Sequence, residues 1–278
     1  MQKILIVLGS TASGKSALAV ELAKKLARHK WGGFSGAEII SADSRQVYKG
    51  LNIGTGKITS KEMRGVPHHL LDVANPKKRF TVADFQRITR EKIAEIFSRG
   101  HLPIICGGTG FYISALMDGI VLPDVPPNKK LRAKLSKKTP ETLLGMLLKL
   151  DPIRAKTVDG KNPRRIIRAI EIAKALGKVP NLQPTTNQPN FVRTKFGLAG
   201  NQQPYKSAQI GISLPPEELK KKIAIRLFAR IRKGIVAEAK QLHKQGLSWK
   251  RMEELGLEYR YLALYLQNKI TKQEMIKK

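Results

Sequence analysis

The chain has 278 residues, enough for one sizeable core and a smaller appended domain, and its 41% hydrophobic and 26% charged content is ordinary for a globular protein. Its charge is not ordinary: 52 Lys and Arg against 21 Asp and Glu leave +31, which points to a polyanionic partner, because each cation near a phosphate releases a condensed counterion. The single cysteine, Cys106, excludes an internal disulfide and suits a reducing cytoplasm. No Cys/His spacing suits zinc, no apolar run approaches the roughly 18 residues of a membrane span, and "MQKILIVLG" is too short for a signal peptide.

"KILIVL" (3–8) is a continuous apolar run ending in glycine, the pattern of a buried parallel strand. From Lys15 the period turns helical, with Leu18, Leu22 and Leu26 recurring every fourth residue. "AEIISA" (37–42) is a second strand that stops at Asp43, and "HHLLDV" (68–73) is read as a third. Residues 81–100 predict a helix with Thr81 as N-cap, Asp84 three residues on and Gly100 as its stop. "LPIIC" (102–106) is another buried strand, running into "GGTGFYISALMDG". After Gly119 the pattern changes to a proline-rich exit and the basic helical segments "KKLRAKLSKK", "PETLLGMLLKLDP" and "PRRIIRAIEIAKALG". Residues 181–206 are rich in Asn, Gln and Pro and read as a loop, "SAQIGISL" (207–214) as a strand rejoining the first core, and 215–246 as one long basic helix. The outline is an α/β fold: a P-loop NTPase-like parallel-sheet core, 1–119 and 207–278, with a helical insertion domain at 120–206.

Gly9, Gly14, Lys15 and Ser16 complete G-x-x-x-x-G-K-[ST] between a strand and a helix, so Gly9, Ser10, Thr11, Ala12, Ser13, Gly14, Lys15 and Ser16 form a phosphate-binding loop. Lys15 would reach the terminal phosphates and the Ser16 hydroxyl would sit on Mg²⁺, the expected cofactor. Asp43, at the carboxyl end of a strand, should face the same crevice, where it can hold Mg²⁺ through water, serve as a general base, or simply cap the turn that follows. "GGTGFY" (107–112) enters a helix at a third strand end and points the Thr109 hydroxyl into that crevice. Cys106 reads as a small core residue, and His68 and His69 as structural.

"GSTASGKS", "SADSRQVYKGLNIGTGK", "GVPHHLLD", "FTVADF" and "GGTGFYISAL" follow one another at close spacing, with "NPRRIIRAIE" (162–171) and "LKKKIAIRLFARIRKG" (219–234) behind them. In that set the chain resembles the tRNA dimethylallyltransferase, or tRNA isopentenyl-pyrophosphate transferase, family from residue 4 to about 266. The resemblance implies that the loop holds dimethylallyl diphosphate and that the prenyl group goes to the exocyclic amine of adenosine at tRNA position 37, just 3′ of the anticodon. It implies Asp43 as the base, Thr109 beside phosphates and metal, and Arg226 on the pyrophosphate. The base must be splayed out of the anticodon loop, and Ser44, Arg45 and Gln46 are placed to read it and its neighbours. The helical insertion resembles the family's anticodon-stem clamp, with Arg164, Arg165 and Arg168 at i, i+1 and i+4 as a phosphate-gripping face. Where the family has Gly-Tyr-Arg-Gln the chain reads "EYRY" (258–261), so Tyr259 and Arg260 are the expected tRNA contacts there. A cytoplasmic monomer without a membrane anchor is the expected state. A small-molecule P-loop kinase, the reading from another class, would use the loop alone and have no use for +31.

Overall fold

The computed structural model describes residues 2–118, 123–179 and 205–277. Strands β1 (Gln2–Gly9), β2 (Gly36–Ser41), β3 (His68–His69), β4 (His101–Gly107) and β5 (Tyr205–Ile212) make one all-parallel sheet in the order β3-β2-β4-β1-β5. The apolar runs explain this arrangement, since a parallel sheet is covered on both faces. Ile4, Ile6, Ile40 and Ile105 pack with Phe85, Ile93, Ile96 and Leu116 on one side. The alternate residues Val7, Ile39, Ile104 and Cys106 pack with Ala19, Val20 and Ala23 on the other. The helices of the first half are α1 (Lys15–His29), α2 (Ser60–Met63), α3 (Val82–Ser98) and α4 (Gly110–Met117), of which α2 buries no side chain. Thr81 and Asp84 form a reciprocal capping box at the start of α3.

The chain divides into two compact units, Met1–Met117 with Gln203–Lys278, and Asp118–Gln202. In the second, α5 (Lys129–Leu135), α6 (Pro140–Leu150), α7 (Pro152–Thr157) and α8 (Pro163–Leu176) enclose a core that includes Leu135, Leu143, Leu147, Ile166 and Ile170. In the first, α9 (Pro216–Arg232), α10 (Ile235–Lys244), α11 (Trp249–Glu253), α12 (Leu257–Leu266) and α13 (Lys272–Lys277) follow β5, and the last four bury a further cluster with Val47, Tyr48 and Leu51.

The structure differs from the sequence reading in three places. The helix expected over 215–246 is two, because Gly234 takes a left-handed φ of 94° between α9 and α10. The strand expected over 68–73 pairs only at His68 and His69, since Leu70 and Asp72 adopt φ of 61° and 55° and turn the chain out of the sheet. The loop expected over 181–206 lies outside the described residues except for Tyr205 and Lys206, which belong to β5.

Candidate active site

β1 ends at Gly9 with no room for a side chain, since a Cβ there would collide with Ser13 Oγ and press on the Ile212 carbonyl. The chain then turns through Ala12 (φ 65°) and Gly14 (φ 91°) into α1. No side chain caps α1 and its first turn carries no acidic residue, so its leading amides and the positive end of its dipole are open to an anion. Lys15 Nζ donates to the Ser10 carbonyl at 3.0 Å, folding the ammonium over the loop. Its burial lowers the Lys15 pKa, an effect that neighbouring Asp43 opposes and Arg226 reinforces.

An open cavity of about 340 Å³ joins this loop to the ends of β2 and β4; Lys15, Ser16, Asp43, Gln46 and Cys106 are among its lining residues. Asp43 lies two residues past β2. Its Oδ1 accepts from the Arg45 amide (2.8 Å) and the Gln46 amide (3.3 Å), so the carboxylate does cap the turn. Its Oδ2 accepts no hydrogen bond from the described residues. Thr109, just ahead of α4, ties two strand ends together: its amide donates to the Ala42 carbonyl at 3.2 Å and its Oγ1 accepts from the Ser44 amide at 3.0 Å. Glycine is required at Gly107 because the Ala42 backbone occupies the space a Cβ would take.

Arg226, on α9, donates through Nη2 to the Gly56 carbonyl at 3.0 Å. Burial lowers its pKa, and the nearby Arg230 adds to the effect. Arg226 lines a second, more apolar cavity together with Thr11 of the loop. Gln46 Nε2 reaches the same Gly56 carbonyl at 3.4 Å. Arg45 turns away, donating through Nη1 to the Glu254 carbonyl. Cys106 is buried and its thiol is pushed up to about 11, which keeps it protonated at neutral pH and fits a packing role. His68 Nδ1 lies 2.8 Å from the Val66 carbonyl. His69 Nε2 lies 2.6 Å from Glu38, a residue 3% exposed that Arg99 and His101 also bind. Burial disfavours the Glu38 charge, but these partners outweigh it and hold the carboxyl at about 2.

Two of the expected tRNA contacts are engaged within the protein. Tyr259 is 1% exposed, its ring fills the space over Gly54, and its hydroxyl donates to Glu238 at 2.6 Å. Burial beside that carboxylate raises its pKa, so Tyr259 is a core residue, and only its exposed neighbour Arg260 stays on the surface. In the helical unit Arg164 and Arg165 are exposed, but Arg168 Nη1 binds Glu171 at 2.6 Å and the Val125 carbonyl at 2.9 Å. Glu171, 2% exposed, also takes two bonds from Arg132 and one from the Asn128 amide. Its burial is outweighed by these donors, which hold it at about 2. Arg168 therefore fixes α8 in its unit. Sequence reading missed Glu38, Glu171 and Glu238 because an acid's buried partners lie far along the chain. For Glu171 the signal was its i+3 spacing from Arg168 inside an apolar stripe.

The model of the family described as IPP transferase matches residues 46–278. The chain belongs to that family. A tRNA dimethylallyltransferase of Treponema denticola is 41% identical over 271 residues, covering 97% of this chain and 83% of that one. One of Syntrophus aciditrophicus is 38% identical over 281 residues, covering 100% and 84%. Among solved structures, the tRNA isopentenylpyrophosphate transferase of Bacillus halodurans superposes with a TM-score of 0.67 at 33% identity, covering 100% of this chain and 81% of that one. A eukaryotic dimethylallyltransferase acting on tRNA superposes with a TM-score of 0.76 at 25% identity, covering 100% and 66%. The transferase fold of these structures is P-loop NTPase-like, as the parallel sheet and loop 9–16 require.

Proposed function

We propose that the protein transfers the dimethylallyl group from dimethylallyl diphosphate to the exocyclic amine of the adenosine at tRNA position 37, releasing pyrophosphate. The observation that carries this reading is the single cavity in which Lys15 and Ser16 of the loop meet Asp43 and Gln46 of the β2 turn, in a chain of the IPP transferase family. The open amides of α1 and Lys15 bind the diphosphate, with Arg226 beside them. Negative charge grows on the leaving oxygens as the bond from C1 of the prenyl group to oxygen breaks, so these contacts strengthen in the transition state. Asp43 Oδ2 takes the proton that the adenine amine gives up as its nitrogen bonds C1, while Oδ1 keeps the carboxylate anchored to its turn. Thr109 holds the Ser44 amide and with it the start of the base-reading segment.

The oxygen donors of Ser16 and Asp43 suit Mg²⁺, which prefers hard ligands and keeps several waters. Ser16 would bind the ion directly and Asp43 through water, and the ion would neutralise charge on the diphosphate. No helix among the described residues is long and apolar enough to cross a membrane. We read the protein as a monomer; a reducing cytoplasm accords with its lone cysteine, which is buried. The net charge of +31, with Arg164 and Arg165 exposed on α8, supports tRNA as the polyanion. The test is mass spectrometry of tRNA nucleosides after incubation with protein, Mg²⁺ and dimethylallyl diphosphate. The expected product is adenosine enlarged by one dimethylallyl group; ATP consumption with no prenylated nucleoside would replace this reading with a kinase.

A further inference from the structure

Glu238, on α10, gathers four donors that converge from two distant stretches of chain. Its Oε2 accepts from the amides of Asn52 (2.9 Å) and Ile53 (2.7 Å), and its Oε1 from the Gly54 amide (3.0 Å) and the Tyr259 hydroxyl (2.6 Å). Three consecutive backbone N–H groups turned on one carboxylate define the shape of the loop 51–57. The Tyr259 ring presses on that loop so closely that Gly54 has no room for a Cβ. The loop then closes on itself, Gly56 N to the Ile53 carbonyl (3.0 Å) and Lys57 N to the Asn52 carbonyl (2.9 Å), with Gly56 at φ 57°. The outcome is the placement of one oxygen. The Gly56 carbonyl accepts from Arg226 Nη2 and from Gln46 Nε2, and a Cβ on Gly56 would collide with the guanidiniums of both Arg226 and Arg230.

We infer that Glu238 is a positioning residue for the transfer reaction: through the Gly56 carbonyl it sets the side chain that meets the diphosphate and the side chain that meets the target base together. The inference rests on the proposed function for the roles of Arg226 and Gln46, and on geometry alone for their shared anchor. A carboxylate is needed because it offers only acceptors to three amides and a hydroxyl; a carboxamide in its place turns an N–H₂ against some of those donors. Both carboxylate oxygens are taken up by the loop amides and the Tyr259 hydroxyl, so the role inferred for Glu238 is to hold the loop.

The experiment compares wild type, Glu238→Gln, Arg226→Ala, Gln46→Ala and the doubles of Glu238→Gln with each, with rates normalised to active sites. Glu238→Gln should raise KM for dimethylallyl diphosphate about tenfold and relax discrimination at the modified base. It should add little of its own to donor KM in the Arg226→Ala background or to base choice in the Gln46→Ala background. A merely structural Glu238 would lower the unfolding midpoint and the active fraction while leaving both KM values per active site at wild-type level, or would multiply fully with both partners; either result overturns the inference. Should Glu238→Gln fail to fold, Glu238→Asp retains the charge one methylene short. It should raise donor KM about threefold; wild-type kinetics in that variant overturn the inference equally. Calorimetric binding of inorganic pyrophosphate, about tenfold weaker in Glu238→Gln, reads the Arg226 arm without any transfer. Wild-type protein that binds pyrophosphate but prenylates no tRNA would sink the proposed function and leave this measurement standing on its own.

Discussion

Arg168→Ala should cost fold stability and leave the salt dependence of tRNA binding unchanged, whereas Arg165→Ala should do the reverse. Arg168 Nη1 holds the Val125 carbonyl at 2.9 Å and Glu171 Oε2 at 2.6 Å, so its truncation removes one neutral-acceptor bond and one charge-assisted bond. Glu171 is not orphaned, because Arg132 still binds it at 2.6 and 3.0 Å and the Asn128 amide at 2.6 Å. Counting the two lost bonds and discounting for a side chain 36% exposed gives about 2 kcal/mol. Arg165 pairs with the surface carboxylate of Asp159 at 3.4 Å, both side chains being nearly half exposed, and losing an ion pair of that kind costs a fold about 1 kcal/mol or less. If Arg165 contacts a phosphate, losing it should shallow the slope of log K against log salt by about 0.9 for duplex stem. Thermal unfolding and anticodon stem-loop binding between about 50 and 200 mM salt measure both quantities. An Arg168→Ala protein with the parent unfolding midpoint and a slope shallower by about one would refute the reasoning.

Lys15→Ala should weaken diphosphate binding or slow transfer tenfold or more, read by pyrophosphate competition and single-turnover rates; parent values in both would remove Lys15 from the site. Asp43→Asn keeps the turn but accepts no proton, so single-turnover transfer should drop by about 10²-fold while the affinities for donor and tRNA change far less. Glu38 and Glu171 sit at about 2 in the folded protein against an ordinary value near 4.5, so each stabilises the fold fully above the ordinary value and loses that contribution as pH falls from about 5 toward 2. The arithmetic allows up to about 3 kcal/mol per carboxylate. Urea unfolding at pH 7 and pH 3 should show the loss, and Glu38→Gln should reduce it; an unfolding free energy level across that range would contradict the assigned ion pairs.

The parts of the molecule legible in the sequence are those whose partners are near in sequence or fixed by backbone geometry. The run 3–8, the loop at Gly9–Ser16, the Thr81–Asp84 box and the start of α8 after Asn162 all follow from local rules and stand where those rules put them. What could not be read depends on approach from afar. Tyr259 looks like an exposed contact in "EYRY", yet Gly54, more than two hundred residues earlier, leaves a gap that its ring fills. Arg168 shares its face with Arg164 at i+4, but the buried Glu171 one turn further claims it. The break between α9 and α10 was present as Gly234, and it was hidden because the apolar and basic pattern continues across it.

The sheet order explains how a phosphate loop can serve a carbon–nitrogen bond. β4 lies between β1 and β2, so the residues beyond their carboxyl ends stand in the spatial order Lys15, Thr109, Asp43. Lys15 and Asp43 line one cavity, and the carboxylate is near enough to act on the Lys15 ammonium, so the anion grip after β1 and the carboxylate after β2 face a shared space. That space suits a substrate that extends outward from the loop, with a diphosphate over β1, a carbon over β4 and an amine over β2. In the proposed reaction, Thr109 Oγ1 then has a structural reason to bond the Ser44 amide. It fixes the middle of that line, so that the leaving group and the proton acceptor stay at opposite ends of the carbon being transferred.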